Sequence, residues 1–171
     1  MSQTTNESPV EQFTTSLAEI EVDWTTTGLD DIESTLTALI ESPAVGVELP
    51  IDGVTLPERV ETNPDPTAIR TATTGVTPAT LAIADYGSVV LESDPNGSEL
   101  MSLFSGTHVV VIEESDIVGS MAEAFEALGP HLREERGDAI VATGASATSD
   151  MGALVRGVHG PKHVHIVIIE S

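Results

Sequence analysis

Three short segments carry the residues whose types could do chemistry. The first is Thr143-Gly144-Ala145-Ser146-Ala147-Thr148-Ser149-Asp150, which follows an apolar run and precedes a segment with helical spacing, Ser149 to Val155. N–H groups at a helix start lack intrahelical partners and favour an anion. Gly144 permits close backbone approach, and the hydroxyls of Thr143, Ser146 and Thr148 can donate to a carboxylate or phosphate. The plainer reading is a strand–loop–helix connection with Thr148 as N-cap and Asp150 set against the helix dipole.

The second segment is Arg156-Gly157-Val158-His159-Gly160-Pro161-Lys162-His163. The chain has only eleven Lys, Arg and His residues, and four fall in these eight positions. His159 lies between two glycine-containing turns, so its imidazole is placed to meet a ligand as hydrogen-bond donor, cationic anchor or general acid/base. The alternative is that Arg156 complements a helix C-terminus capped by Gly157, and that the glycines only turn the chain. The third segment is Ala84-Asp85-Tyr86-Gly87-Ser88. Asp85 there is either a turn former or a carboxylate acting as base or nucleophile in a cleft. His163 and His165 share a strand face, but no third ligand of suitable spacing accompanies them, so no metal site is expected. His108 opens an apolar run and reads as a satisfied core histidine.

These segments sit among elements legible from apolar spacing. A helix is expected from Ser8-Pro9, with Phe13, Leu17 and Ile20 on one face. A short strand follows at Val22 to Trp24. A second helix, capped by Thr27, carries Leu29, Ile32, Leu36, Leu39 and Ile40. Ala44 to Leu49 reads as a strand, and residues 50–66 read as a Pro-rich loop. A hairpin is expected around Asp85 to Ser88, then a helix at Glu99 to Phe104 and a buried strand at His108 to Ile112. Helix Ile117 to Leu128 should stop at Gly129-Pro130, before a buried strand at Ala139 to Ala142. Val164 to Ile169 is the last strand. Alternating strands and helices predict an α/β domain, with a mostly parallel sheet and helices on both faces. Ligands are expected beyond the carboxyl ends of the strands.

Composition narrows the function. The 171 residues include 28 acidic and 6 basic ones, for a net charge of −22. So few cations cannot neutralise a phosphate backbone or hold an anionic membrane, so nucleic-acid and membrane-surface binding are rejected. With no cysteine, disulfides, a cysteine nucleophile and a thiolate-held iron–sulfur cluster are excluded on this chain. Spread acidity with 3 % aromatics points to a high-salt, halophilic cytoplasm, where carboxylate repulsion is screened. The beginning of the sequence lacks a signal-peptide pattern, and no apolar stretch is long enough to span a bilayer, so the expected location is the cytoplasm.

In order along residues 71–171, the chain resembles the LUD-domain proteins of the lactate utilisation protein C (LutC/YkgG) type. The stretches are Thr74-Gly75-Val76-Thr77, Ala82 to Leu91 around Asp85-Tyr86-Gly87-Ser88, Leu103 to Ile112, Thr143 to Asp150, Gly157-Val158-His159-Gly160-Pro161, and the strand His165 to Ile169. The resemblance implies a fold like the glucosamine-6-phosphate deaminase, ribose-5-phosphate isomerase and CoA-transferase superfamily (NagB/RpiA/CoA-transferase-like). It implies an N-terminal helical and strand region at 1–66 and an α/β core at 67–171, in one compact domain. It adds Thr77, Gly87, Ser88 and Gly160 to the candidate substrate contacts. It also implies a role in iron–sulfur-dependent oxidation of L-lactate to pyruvate, with the cluster on a cysteine-rich partner protein and no cofactor on this chain. The family usually has Gly-Ala-Asp where this chain has Pro78-Ala79-Thr80, and a further Glu after Asp150 where this chain has Gly152.

Three functions follow as rivals. The chain is an accessory subunit that binds a small carboxylate, with Thr143 to Asp150 and His159 supplying contacts. Alternatively it is a stand-alone isomerase or transferase on a phosphorylated or acyl substrate, with Asp85 as base or nucleophile and His159 as acid. In the third reading it is a scaffold without a ligand. The first two require Asp85, Ser146, Asp150 and His159 to converge on one cleft.

Overall fold

The computed structural model describes residues 7–135, 137–145, 147–150, 153–156 and 159–170. The sequence readings at residues 1–6, at Ser146, at Met151 and Gly152, and at Gly157 and Val158 lie outside them.

Helix α1 (Pro9–Glu19) begins as expected. Ser8 and Glu11 form a reciprocal capping box, Pro9 takes the first turn, and Phe13 and Leu17 are buried. Strand β1 (Asp23–Thr27) follows. Thr27 does not cap the next helix. It ends β1, and its hydroxyl shares a 3.0 Å hydrogen bond with that of Thr35. A short 3-10 turn then leads into α2 (Ile32–Leu39). Strand β2 (Ala44–Gly46) is shorter than its apolar run. The Pro-rich stretch is not all loop: it contains β3 (Val60–Glu61) and leads into α3 (Pro66–Thr71), which Asp65 caps at the N–H groups of Thr67 and Ala68.

Strand β4 (Thr74–Pro78) was not foreseen from spacing. The hairpin was: β5 (Leu81–Ile83) and β6 (Ser88–Glu92) pair antiparallel. Helix α4 (Ser98–Phe104) and strand β7 (Thr107–Glu113) follow. The expected helix at 117 begins instead with β8 (Ile117–Val118), and α5 (Met121–Glu135) runs straight through Gly129-Pro130. The helix is mostly exposed, so water can serve the carbonyl orphaned by proline, and Arg133 Nε donates to the Gly129 carbonyl at 2.9 Å. Strand β9 (Ala139–Thr143) is only half-buried. The helix expected at Ser149 to Val155 is a hairpin, in which β10 (Ala147–Asp150) pairs antiparallel with β11 (Ala153–Arg156). Strand β12 (His163–Ile169) is the last element.

The main sheet has six strands in the order β1-β12-β7-β4-β2-β3, and every pairing is parallel. Strands from both the 1–66 region and the later region share it. One face, with Val76, Val109, Val111, Val167 and Ile169, is buried under α2. On the other face, Val45 packs with Ile69 of α3 and Met101 of α4. Farther along that face, Val110, Ile112, Ile166 and Ile168 pack against α1 and a second sheet, β8-β5-β6-β9. This is the α/β arrangement with helices on both faces that the sequence predicted, except that the second sheet shares one layer with them. Ala124 of α5 packs with Leu81, Ile83 and Val90 on that sheet's outer side.

Candidate functional site

Side chains alternate along a strand, so two facing sheets each turn one row of residues into the gap between them. The main sheet contributes His108, Val164 and Ile166 from the amino-terminal parts of β7 and β12; the second sheet contributes Val89, Ile140 and Ala142. Between these rows lies a cavity of about 220 Å³. Burial sorts its lining: Val22, Val89, His108, Pro161 and Ile166 are buried, whereas Leu103, Val141, Thr143 and His159 are exposed and form the rim.

Two glycines shape the mouth. Gly87 has φ +62°, and a Cβ there would lie 3.2 Å from the Ser16 carbonyl carbon of α1. Gly144 has φ +67° at the bend after β9. Both adopt the left-handed conformation that side chains disfavour. That lets the chain turn while α1 presses close.

His108 is 2 % exposed, and its Nε2 lies 2.8 Å from Thr77 Oγ1. Burial lowers its pKa to about 4. At neutral pH it is therefore an uncharged imidazole that hydrogen-bonds, not a cationic anchor. Sequence reasoning placed it in the core, which is right, but missed that it also borders the cavity. The missing signal was β4, which carries Thr77 beside it. On the α2 face of the same sheet, His165 Nε2 lies 2.9 Å from Thr25 Oγ1. Burial lowers the His165 pKa, with the Asp23 charge opposing. Among the described residues no group of three or more His, Asp or Glu is arranged to hold a metal ion.

The structure brings together part of the expected set. Gly87, Thr143, Gly144, His159 and Gly160 all line the cavity. Thr77 reaches it through His108. Ser88 and Thr143 are register partners, and their hydroxyls meet each other at 2.6 Å. Asp85 does not line the cavity. It is exposed in the β5–β6 turn, where Gln12 Nε2 donates to its Oδ1 at 2.5 Å. Thr148 and Asp150 lie on β10, so no helix start gathers amide groups there; Ser146 is outside the described residues. The location also differs from expectation. This cavity is at the amino end of the parallel strands, beside His108 and Val164. A separate cavity of about 240 Å³ does occupy the carboxyl ends of β4 and β7, beside Pro50, Glu113 and Asp116. Burial raises the Asp116 carboxyl above its usual range. None of the sequence candidates lines that second cavity.

The LUD domain family profile matches residues 10–169, nearly the whole chain. The chain belongs to the LUD domain family. This LUD domain is 32 % identical over 96 residues to a lactate utilization protein C of Deinococcus radiodurans, covering 55 % of this chain and 45 % of that protein. It is 31 % identical over 106 residues to a lactate utilization protein C of Bacillus licheniformis, covering 58 % of this chain and 43 % of that one. The matched stretch thus spans less than half the length of either relative. The crystal structure of a DUF162 family protein from Deinococcus radiodurans superposes with a TM-score of 0.72 at 20 % identity, over 94 % of this chain and 96 % of that one. That likeness establishes the shared fold. No helix among the described residues is long and apolar enough to cross a membrane.

Proposed function

We propose that this LUD domain is an accessory subunit in lactate utilisation and holds a small carboxylate in the cavity between its two sheets. The observation that carries the reading is the lining's charge. In a chain with 28 acidic residues, none of the described residues around this cavity is acidic, and two of the five histidines border it. An anion meets no like charge there, whereas the carboxyl-end cavity would confront it with Glu113 and Asp116. The apolar wall receives the ligand's carbon end, and His159 stands at the rim to meet the carboxylate. The names of the two relatives support lactate as the metabolic context. The chain has no cysteine, so a thiolate-held cluster that carries electrons in such a system belongs to a cysteine-rich partner.

The reading is tested by calorimetric titration of the full chain with L-lactate and with pyruvate. Saturable binding that is weakened by His159→Ala supports it. Absence of binding by both acids, or binding indifferent to His159→Ala, refutes it. Turnover of either acid by the chain alone would replace the accessory role with an enzymatic one.

A further inference from the structure

The cavity is more apolar than a three-carbon acid requires. Lactate offers one methyl group, yet Val22, Val89, Ile140, Ala142, Val164 and Ile166 wall the hollow. At about 220 Å³ it has room for several waters. Water there would have few partners, because the wall is hydrocarbon. Two buried polar side chains line the cavity: Ser102, whose hydroxyl donates to the Glu99 carbonyl at 2.6 Å, and His108. Thr77 occupies its Nε2, and Nδ1 has no partner among the described residues. The atom is also not among the sealed, unsatisfied ones, so it opens on the cavity it borders. A ligand that fits must therefore bury an apolar body and offer one neutral hydrogen-bonding group. A hydroxyl suits either imidazole tautomer, since it both donates and accepts.

We infer that the preferred occupant is a 2-hydroxy acid with a branched aliphatic side chain of about four carbons: the side chain lies between the sheets, the hydroxyl meets His108 Nδ1, and the carboxylate remains at the rim. This rests on reading the cavity as a carboxylate site and names the class of acid it takes. Each added methylene buried against the wall is worth about fourfold in affinity, so three of them give roughly 50-fold over lactate. Ala142 sits where a larger side chain would take up the space that the ligand's branch needs.

The test is a calorimetric series on the full chain with L-lactate, 2-hydroxybutanoate and 2-hydroxy-4-methylpentanoate, repeated on Ala142→Leu. Affinity should climb along the series to roughly 50-fold, and the climb should be much smaller in Ala142→Leu. A histidine side-chain ¹H–¹⁵N spectrum of the unmodified protein should show the His108 ring signal move on adding the six-carbon acid, a readout that needs no variant to fold. Equal affinity for lactate and the six-carbon acid overturns the inference and leaves the carboxylate reading intact. A climb in affinity that ignores Ala142→Leu, or an unmoved His108 signal, places the acid elsewhere and also overturns it. Silence across the whole series refutes both.

Discussion

Replacing His108 with glutamine should remove a specific part of the protein's acid sensitivity. The ring is 2 % exposed, and burial lowers its pKa from 6.5 to about 4. In the unfolded chain it titrates near 6.5. Between those two values the unfolded state binds a proton that the native state refuses, so the neutral ring's contribution is complete above pH 6.5. It is lost as pH falls toward 4, and no further loss follows below that. At about 1.4 kcal/mol per pH unit the window is worth about 3 kcal/mol. Glutamine keeps a polar group near Thr77 but cannot titrate. Urea unfolding of both proteins at fixed salt, from pH 7.5 down to 4, measures the difference directly. The many carboxylates and His165 are common to both proteins and largely cancel. The stability gap between wild type and His108→Gln should shrink by about 3 kcal/mol on acidification. A gap independent of pH would mean that the ring is hydrated in the native state, contrary to its burial.

Gly87→Ala should destabilise the fold by about 1–3 kcal/mol, through left-handed backbone and contact with α1, measurable as a lowered Tm; an unchanged Tm would deny the close packing of α1 on the turn. Asp65→Ala should cost about 1 kcal/mol in denaturant unfolding by freeing the Thr67 and Ala68 N–H groups. A loss of several kcal/mol, or none, would contradict a simple capping role. Raising KCl from 0.1 M to 2 M should raise Tm, because a net charge of −22 repels itself less as the screening length falls below about 10 Å. A Tm indifferent to salt would count against that reading of the composition.

What the sequence made legible was whatever local physics decides. The run Val109 to Ile112 is apolar throughout because β7 is buried on both faces. Ser8-Pro9 announced α1. Strand β4 escaped notice because Thr-Gly-Val-Thr-Pro has weak strand propensity; two flanking parallel strands hold it in place. Ser149 to Val155 has helical spacing, but the pairing of Ala147–Asp150 with Ala153–Arg156 makes it a hairpin instead. The site shows the same division. Gly144, after β9, and Gly160, beside His159, both lie on the cavity lining. Its walls were hidden, because only sheet-on-sheet packing brings Val89 and Ile140 opposite Ile166. The contact of Asp85 with Gln12 was hidden too, because only the docking of α1 brings residues 73 apart together.

Strand β12 lies between β1 and β7, paired to both along most of its length. During synthesis the slot it fills must wait until residues 163–169 clear the ribosome. Until then β1, made about 140 residues earlier, has no neighbour in the main sheet. The nascent chain thus carries an open edge on each side of a one-strand gap, and a truncation ahead of His163 should leave that gap for good, exposing Val110 and Ile112 to any passing strand.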